Sequence, residues 1–205
     1  MIDPFVMDRR DMLARIALLL GATALPAEAF AASKKKAVRF LTKPQFALLG
    51  AVVDTILPAS DTPGALAAGV PARLDGMLRD WASTESRTKV LGALVRIDDA
   101  ARAANGKGFA TLSPADRAAL LTKHDAEALK PVPPPPGAPK ANFFTQQTFV
   151  ADMGYLKLKD LTLNLYYYSE IASANELEYL HVPGKWQPSL KLTSQSRPFL
   201  GVGPF

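Results

Sequence analysis

Apolar residues return every three or four positions through much of the chain after residue 40, which is the spacing of amphipathic helices. In the first such stretch, Thr42 is a good N-cap, and Gln45 three residues later completes a capping box. Pro58 ends the stretch, because proline cannot donate a helical hydrogen bond. The apolar face of this predicted helix consists of Phe46, Leu49, Val53 and Ile56.

Three further stretches have the same spacing. We predict a helix over about 71–81, and its buried face would consist of Leu74, Met77, Leu78 and Trp81. A longer helix is predicted over about 85–104, where Gly106 suits the left-handed position after the helix end. Its apolar stripe consists of Val90, Leu91, Leu94, Ile97 and Ala101. The next helix has Ser113 as its N-cap and Pro114 in its first position.

The second half of the chain contains a proline-rich stretch and the longest apolar segment. Residues 131–140 are dominated by proline and are predicted to form a polyproline-like surface spacer. The leucine-rich segment from about 142 to 169 is predicted to form the central core helix. A short helix should follow it, with Ser173 and Glu176 as a capping box.

The sequence predicts an all-α fold. Strand-like alternation of apolar and polar residues does not recur along the chain, so we expect a small helical domain over 32–205. Its last part, 182–205, contains prolines and glycines with little periodicity and is predicted to form an extended tail. A turn is predicted between the first two helices at Asp61, Thr62, Pro63 and Gly64.

The first 31 residues are typical of an export signal. Arg9 and Arg10 precede Leu13 in an arrangement similar to the twin-arginine pattern. The apolar run that follows has ten residues, which is too short to span a bilayer, where about 20 are needed. Ala29 and Ala31 fit the cleavage pattern, so the mature chain would begin at about residue 32. The alternative is an ordinary secretory signal that contains a chance arginine pair.

Composition and charge exclude several classes of protein. The net charge is +5, but Lys34, Lys35 and Lys36 supply three of the positive charges, so nucleic-acid binding is not expected. The absence of cysteine excludes disulfides, covalent haem attachment and iron–sulfur clusters in this chain. After the leader, no apolar segment reaches transmembrane length, so the chain is predicted to have no membrane anchor of its own.

Few residues are candidates for chemistry. His124 lies on a predicted helix and is interpreted as a surface residue, whereas His181 lies between an aromatic-rich helix and a Pro-Gly turn. Two isolated histidines do not make a metal site. Glu170, Glu176 and Glu178 could form an acid–base pair, but helix capping and solvation explain them more simply.

Three consecutive tyrosines and an aromatic tail provide more rings than this part of the chain is expected to bury on its own. Tyr166, Tyr167 and Tyr168 are consecutive, so they face several sides of one helix, and at least one should meet a partner or ligand. The tail adds Trp186, Phe199 and Phe205 in segments that cannot build a core of their own. We interpret these side chains as contacts to another protein.

Two segments resemble the gluconate 2-dehydrogenase subunit 3 family. They are LTKPQFALLGAVVDTILPASDTPGALAAGVPARLD and LTLNLYYYSEIASANELEYLHVPGKW, and the resemblance covers about 40–186. The most specific pieces are DTPGALAAGV and YYYSEI with ELEYLHVPG. The second piece is closer to small subunits that accompany lactose or glucoside 3-dehydrogenases.

The resemblance implies a non-catalytic small subunit of a periplasmic dehydrogenase complex. The implied partner is a large glucose–methanol–choline-type flavoprotein that carries FAD and oxidises the sugar. A c-type cytochrome subunit can take the electrons, and through such partners the complex can be membrane-associated. In complexes of this kind the small subunit commonly carries the twin-arginine signal, and the flavoprotein is exported with it.

The resemblance carries over no catalytic, cofactor-binding or metal-binding residue. Two regions of partner contact are expected, the loop 61–70 and the stretch from Tyr166 through Trp186 with the tail. The residues assigned to this role are Asp61, Pro63, Gly64, Tyr166, Tyr167, Tyr168, Glu170, His181, Trp186, Phe199 and Phe205. A free-standing periplasmic enzyme that uses the tyrosines, Glu170 and His181 is one alternative, and a helical ligand-binding module is another.

Overall fold

A computed structural model describes residues 38–137, 148–178, 189, 191–193 and 196–198. The chain divides after Val38, and every helix described below belongs to the unit Arg39–Phe205. The predicted leader lies outside the described residues, as do four of the predicted contact residues, His181, Trp186, Phe199 and Phe205.

The described chain is helical, which confirms the predicted all-α fold. Its elements are α1 (Lys43–Ile56), α2 (Val70–Asp80), α3 (Thr84–Asn105), a 3-10 turn (Phe109–Thr111), α4 (Pro114–Ala128), α5 (Met153–Tyr167) and α6 (Glu170–Asn175). The described residues contain no strand, and an isolated antiparallel bridge pairs Pro131 with Val150.

Local sequence signals set most helix ends. The Thr42 and Gln45 capping box begins α1, and the Ser113 hydroxyl accepts a hydrogen bond from Asp116 N at the start of α4. Gly106 has φ 67° where α3 ends, a left-handed conformation that favours glycine. These three predictions are confirmed.

The start of α5 was predicted wrongly. The helix begins at Met153 and not near residue 142, because Asp152 is its N-cap and accepts hydrogen bonds from Gly154 N and Tyr155 N. Residues just before it are extended, since Val132 N donates to Phe149 O at 2.9 Å. The proline-rich stretch therefore begins with a backbone pairing that holds the chain extended before α5.

The short helix α6 was also placed wrongly. Its N-cap is Ser169, whose hydroxyl accepts from Ala172 N at 3.1 Å, so Ser173 lies inside the helix. Glu176 lies at the C-terminal end of α6, where its carboxylate accepts hydrogen bonds from tyrosine side chains. The sequence contains two possible caps four residues apart, and tertiary contacts of the glutamate select the earlier one.

Helix α5 is the centre of the fold, as predicted, because it packs against each of the other five helices. Its buried side chains include Tyr155, Leu158 and Tyr166, and they meet a core formed mainly by α1, α2 and α3. The carboxylate of Asp75 on α2 is also buried and accepts from Phe40 N and Leu41 N at 3.2 and 2.8 Å, which fixes the segment before α1. Among the described helices, none is both long and apolar enough to cross a membrane.

Candidate partner-binding surface

The loop between α1 and α2 is held against the end of α1 by its own backbone. Ala65 N donates to Leu57 O at 2.9 Å, and the Ala65 side chain is fully buried. Gly64 makes this closure possible, because a Cβ there would lie 2.5 Å from Ala59 N and 2.7 Å from the carbonyl carbon of Pro58. The close packing of the loop against the end of α1 therefore requires glycine at position 64.

Tyr166 joins this loop to α6, the last of the described helices. Its side chain is 2% exposed, and its hydroxyl lies 2.7 Å from Pro63 O and 2.6 Å from Glu176 Oε2. The single hydroxyl proton is thus shared between two acceptors, and Pro63 lies 103 residues before Tyr166 in the chain. The two predicted contact regions, the loop and the tyrosine stretch, therefore meet at one buried hydrogen-bonded centre.

The environment of Tyr166 further favours the protonated form of its hydroxyl. Burial raises the pKa of Tyr166, and the hydrogen bond to the Glu176 carboxylate raises it further, while a hydrogen bond with Thr62 acts in the opposite direction. Burial and Glu176 also raise the pKa of Tyr167, whose hydroxyl donates to Glu176 Oε1 at 3.1 Å. Both phenols therefore remain hydrogen-bond donors.

The three tyrosines take three different positions. Tyr166 and Tyr167 contact each other edge to face, with ring centroids 5.2 Å apart, and Tyr167 is half-buried. Tyr168, by contrast, is 68% exposed. Tyr168 is therefore the tyrosine of the three that offers a free ring to a partner, whereas Tyr166 binds the fold together.

Two charged residues of the predicted surface lie in the two segments that the Tyr166 hydroxyl connects, the loop between α1 and α2 and the helix α6. Asp61 is exposed in the loop and accepts from the Ser60 hydroxyl at 2.9 Å. Glu170 is exposed in the first turn of α6, where a carboxylate suits the helix dipole. Both side chains are accessible for a partner, and their role in binding stays a prediction.

An apolar groove that the sequence did not indicate runs along α5, with α2 on its other side at the Tyr168 end and Lys89 of α3 at the Met153 end. It consists of three depressions of about 210, 300 and 390 Å³ that share Met77, Lys157 and Leu161 between neighbours. Trp81 lines one end with its side chain 85% exposed, and Tyr168 lines another part of the groove. We call this surface the α2–α5 groove.

Trp81 was predicted wrongly to lie on the buried face of α2. The helix ends at Asp80, and Trp81 has left helical geometry with φ −122°, so it no longer follows the direction of Leu74 and Leu78. Those two leucines are buried as predicted, while Met77 is 36% exposed. Ser83, the N-cap of α3, stands two residues after Trp81 and was the available sign that the tryptophan belongs to the turn between the helices.

A second polar cluster surrounds His124, which is part-buried instead of lying freely on the surface. The imidazole packs edge to face on Tyr155 with centroids 4.9 Å apart, and burial lowers the pKa of His124. Asp125 Oδ1 accepts from the Tyr155 hydroxyl at 2.9 Å and from Lys159 Nζ at 2.6 Å. The cluster ties α4 to α5, and a neutral histidine there suits packing better than charge.

Beside this cluster, Asp152 connects α5 to α3. Burial opposes ionisation of its carboxyl, but the Arg96 guanidinium and the N–H groups of Tyr155 and Gly154 together lower the pKa of Asp152. The Asp152 and Arg96 side chains form a paired contact of 2.7 and 2.6 Å. Within the described residues, no three His, Asp, Glu or Cys side chains are grouped as potential metal ligands.

Comparison with models of protein families gives a match over most of the chain. A family model described as gluconate 2-dehydrogenase subunit 3 matches residues 43–184, which is more than half of the 205 residues. No curated protein and no solved structure matches the chain. The matched residues begin with the first residue of α1 and continue past the end of α6, so they include every described helix.

Proposed function

Because the chain belongs to the gluconate 2-dehydrogenase subunit 3 family, we propose that it is the non-catalytic small subunit of an FAD-dependent sugar or glycoside dehydrogenase. The family match carries the proposal, since it spans the whole helical unit and its description names one subunit of a larger enzyme. Membership of this family implies a multi-subunit dehydrogenase complex. The identity of the other subunits is part of the proposal.

In this proposal the redox chemistry belongs to partner chains. A large flavoprotein of the glucose–methanol–choline type would hold FAD and oxidise the sugar, and a c-type cytochrome would accept the electrons. The present chain would stabilise the flavoprotein by binding its surface. The hydroxyls of Tyr166 and Tyr167 donate hydrogen bonds to the Glu176 carboxylate where the loop meets α6. These groups therefore have a structural role, which supports placing the chemistry in another chain.

The exposed aromatic rings support a binding role. Trp81 and Tyr168 are 85% and 68% exposed and line the same groove. Large exposed aromatic side chains cost solubility in a free monomer and are enriched where proteins bind one another. Their placement fits a chain that functions in a complex.

The leader completes the proposal. Arg9 and Arg10 would direct export through the twin-arginine machinery, which accepts folded proteins, and the flavoprotein would cross to the periplasm bound to this chain. The complex would then act in the periplasm and reach the membrane through its partners.

Co-expression with the candidate flavoprotein tests binding and export together. The full chain is produced with the flavoprotein of the same genome, and flavoprotein is measured in periplasm and cytoplasm. Replacing both Arg9 and Arg10 by lysine should retain the flavoprotein in the cytoplasm, while Arg15→Lys in the same leader serves as the matched control. Periplasmic flavoprotein at the wild-type level with the double variant would refute the export role, and failure of the two chains to co-purify would refute the subunit assignment.

A further inference from the structure

We propose that the α2–α5 groove receives an amphipathic helix from another subunit of the dehydrogenase complex, an inference that rests on the proposed function. The groove follows α5 from Met153 to Tyr168. At 1.5 Å per residue that length is about 22 Å, so an occupying helix would have about four turns. The groove is lined almost entirely by helical side chains, which suits a packed helix better than an extended strand, because an extended strand needs an open sheet edge to satisfy its backbone.

The floor and walls of the groove determine the apolar face of the occupant. Leu161 is common to all three depressions, and Met77 and Met153 add flexible side chains on either side. Trp81 and Tyr168 provide exposed rings, the residue types that most often dominate binding energy. The matching segment would therefore present a stripe of large apolar residues at helical spacing.

One charge in the groove determines a polar group of the occupant. Lys157 lines two of the depressions, and its ammonium group donates to the neutral Ser86 hydroxyl at 2.7 Å. A helix laid over the groove would remove water from this ammonium, and a buried cation is stable only when it is paired. The occupant should therefore bring a carboxylate to Lys157.

The other charges at that end need no such partner. Lys89 is paired with Glu85 at 2.6 Å, and Glu85 also interacts electrostatically with Lys157, so one exposed carboxylate serves two ammonium groups and a net positive charge remains. Asp160 is exposed on the rim, where it can remain hydrated. Charge complementarity thus points to one acidic residue beside an apolar stripe, and not to a generally acidic segment.

The groove adjoins the predicted contact residues, so the partner that binds those residues would also cover the groove. Tyr168 lines the groove and directly follows Tyr166 and Tyr167, and Tyr166 holds the loop that contains Pro63. A partner that covers Tyr168 would therefore lie next to both predicted contact regions. The tail of the chain itself is the competing occupant, but its described part at 196–198 is attached just after α6, where Glu178 N donates to Pro198 O at 2.9 Å.

Photo-crosslinking of the assembled complex identifies the occupant. The full chain carrying Trp81→p-benzoylphenylalanine is co-expressed with the candidate flavoprotein, purified as the complex and irradiated. We expect a crosslink to an amphipathic helical segment of the flavoprotein or of another dehydrogenase subunit. A crosslink to residues 179–205 of the same chain, or to a second copy of it, would overturn the proposal.

Affinity measurements on the same complex test the two chemical features separately. Trp81→Ala should weaken binding about 30-fold if Trp81 is a central anchor. Lys157→Glu should weaken it by about tenfold or more, and Lys157→Gln should weaken it less. The matched controls are Val95→Ser, an exposed apolar residue of α3 outside the groove, and Lys107→Glu in the turn after α3.

The outcomes separate the groove from the proposed function. If the wild-type chain binds the flavoprotein and the Trp81 and Lys157 variants bind it about as tightly, the groove proposal is wrong and the subunit assignment stands. If the wild-type chain binds no dehydrogenase subunit, both are wrong. Circular dichroism of each variant verifies that the helical fold is retained, and Trp81→Ala should fold normally because its side chain is 85% exposed.

Discussion

Gly64→Ala should destabilise the fold strongly although it adds one methyl group. The glycine does not have a positive φ, so alanine could adopt the backbone conformation without strain. The obstacle is space, since the new Cβ would lie 2.5 Å from Ala59 N and 2.8 Å from Leu57 O. Cβ atoms in real structures essentially never approach other atoms closer than 3.0 Å, and these neighbours are backbone atoms that cannot rotate away.

The expected loss in the free energy of unfolding follows from the contacts that the loop would lose. Moving Gly64 outward would break the hydrogen bond from Ala65 N to Leu57 O, which contributes about 1 kcal/mol. Overpacking and the partial exposure of the buried Ala65 side chain would add about 1–3 kcal/mol. We therefore expect a loss of about 2–4 kcal/mol in the free energy of unfolding, which lowers the melting temperature by about 10 °C for a domain of this size.

Urea denaturation of the mature chain, followed by circular dichroism, measures the effect. Gly76→Ala in α2 is the matched control, because apart from the adjacent backbone of its own helix nothing lies within 4 Å of the position that its added methyl group would occupy, and alanine favours a helix interior. The control should gain about 0.5–1 kcal/mol. If Gly64→Ala is as stable as wild type, the close packing of the loop does not carry the stability assigned to it.

Two further predictions concern polar contacts that the sequence alone did not reveal. Tyr166→Phe removes the donor from two partly buried acceptors, Pro63 O and Glu176 Oε2, and should cost about 1–2 kcal/mol by urea denaturation, whereas Tyr168→Phe should cost nothing measurable. Equal stabilities would contradict the bridging role of the Tyr166 hydroxyl. The folded-state pKa of Asp152 is lowered, so its contribution is present above the unfolded value of about 3.9 and is lost as pH falls through the lower folded value. Asp152→Asn should therefore be less stable than wild type by about 1 kcal/mol at about pH 7, and the difference should shrink steadily as the pH falls below about 4, while the exposed Asp160→Asn should track wild type throughout. A difference for Asp152→Asn that does not shrink in acid would contradict the electrostatic origin.

The helices with strong local signals were predictable from the sequence. The ends of α1, α3 and α4 depend on groups within a few residues of each end, such as the Thr42 cap and the left-handed Gly106. The family resemblance was equally visible in the sequence, and the match over 43–184 confirms it. The export residues Arg9 and Arg10 and the tail residue Trp186 lie outside the described residues, so their roles stay predictions.

The positions of Trp81, Tyr166 and Tyr168 were decided by the tertiary structure. Periodicity assigned Trp81 to the core, but the helix ends one residue earlier and the ring turns outward. The sequence indicated that the three tyrosines could not all be buried in one core. Which ring is buried depends on the hydrogen bonds of Tyr166 to Pro63 and Glu176, which lie elsewhere in the chain. The start of α6 was misplaced for a similar reason, because Glu176 binds Tyr166 and Tyr167 instead of capping the helix. The start of α5 was misplaced because its local N-cap, Asp152, was overlooked.

By itself, the sequence determined that this chain is helical, where several of its helices begin and end, and which family it belongs to, because these properties reside in short segments and their order. The tertiary structure alone decided that the loop and the tyrosines meet at one hydrogen-bonded centre and that an apolar groove lies open along α5. The groove exists because faces of helices that are distant in the chain lie next to each other. That arrangement is set only when α5 packs against all the other described helices at once.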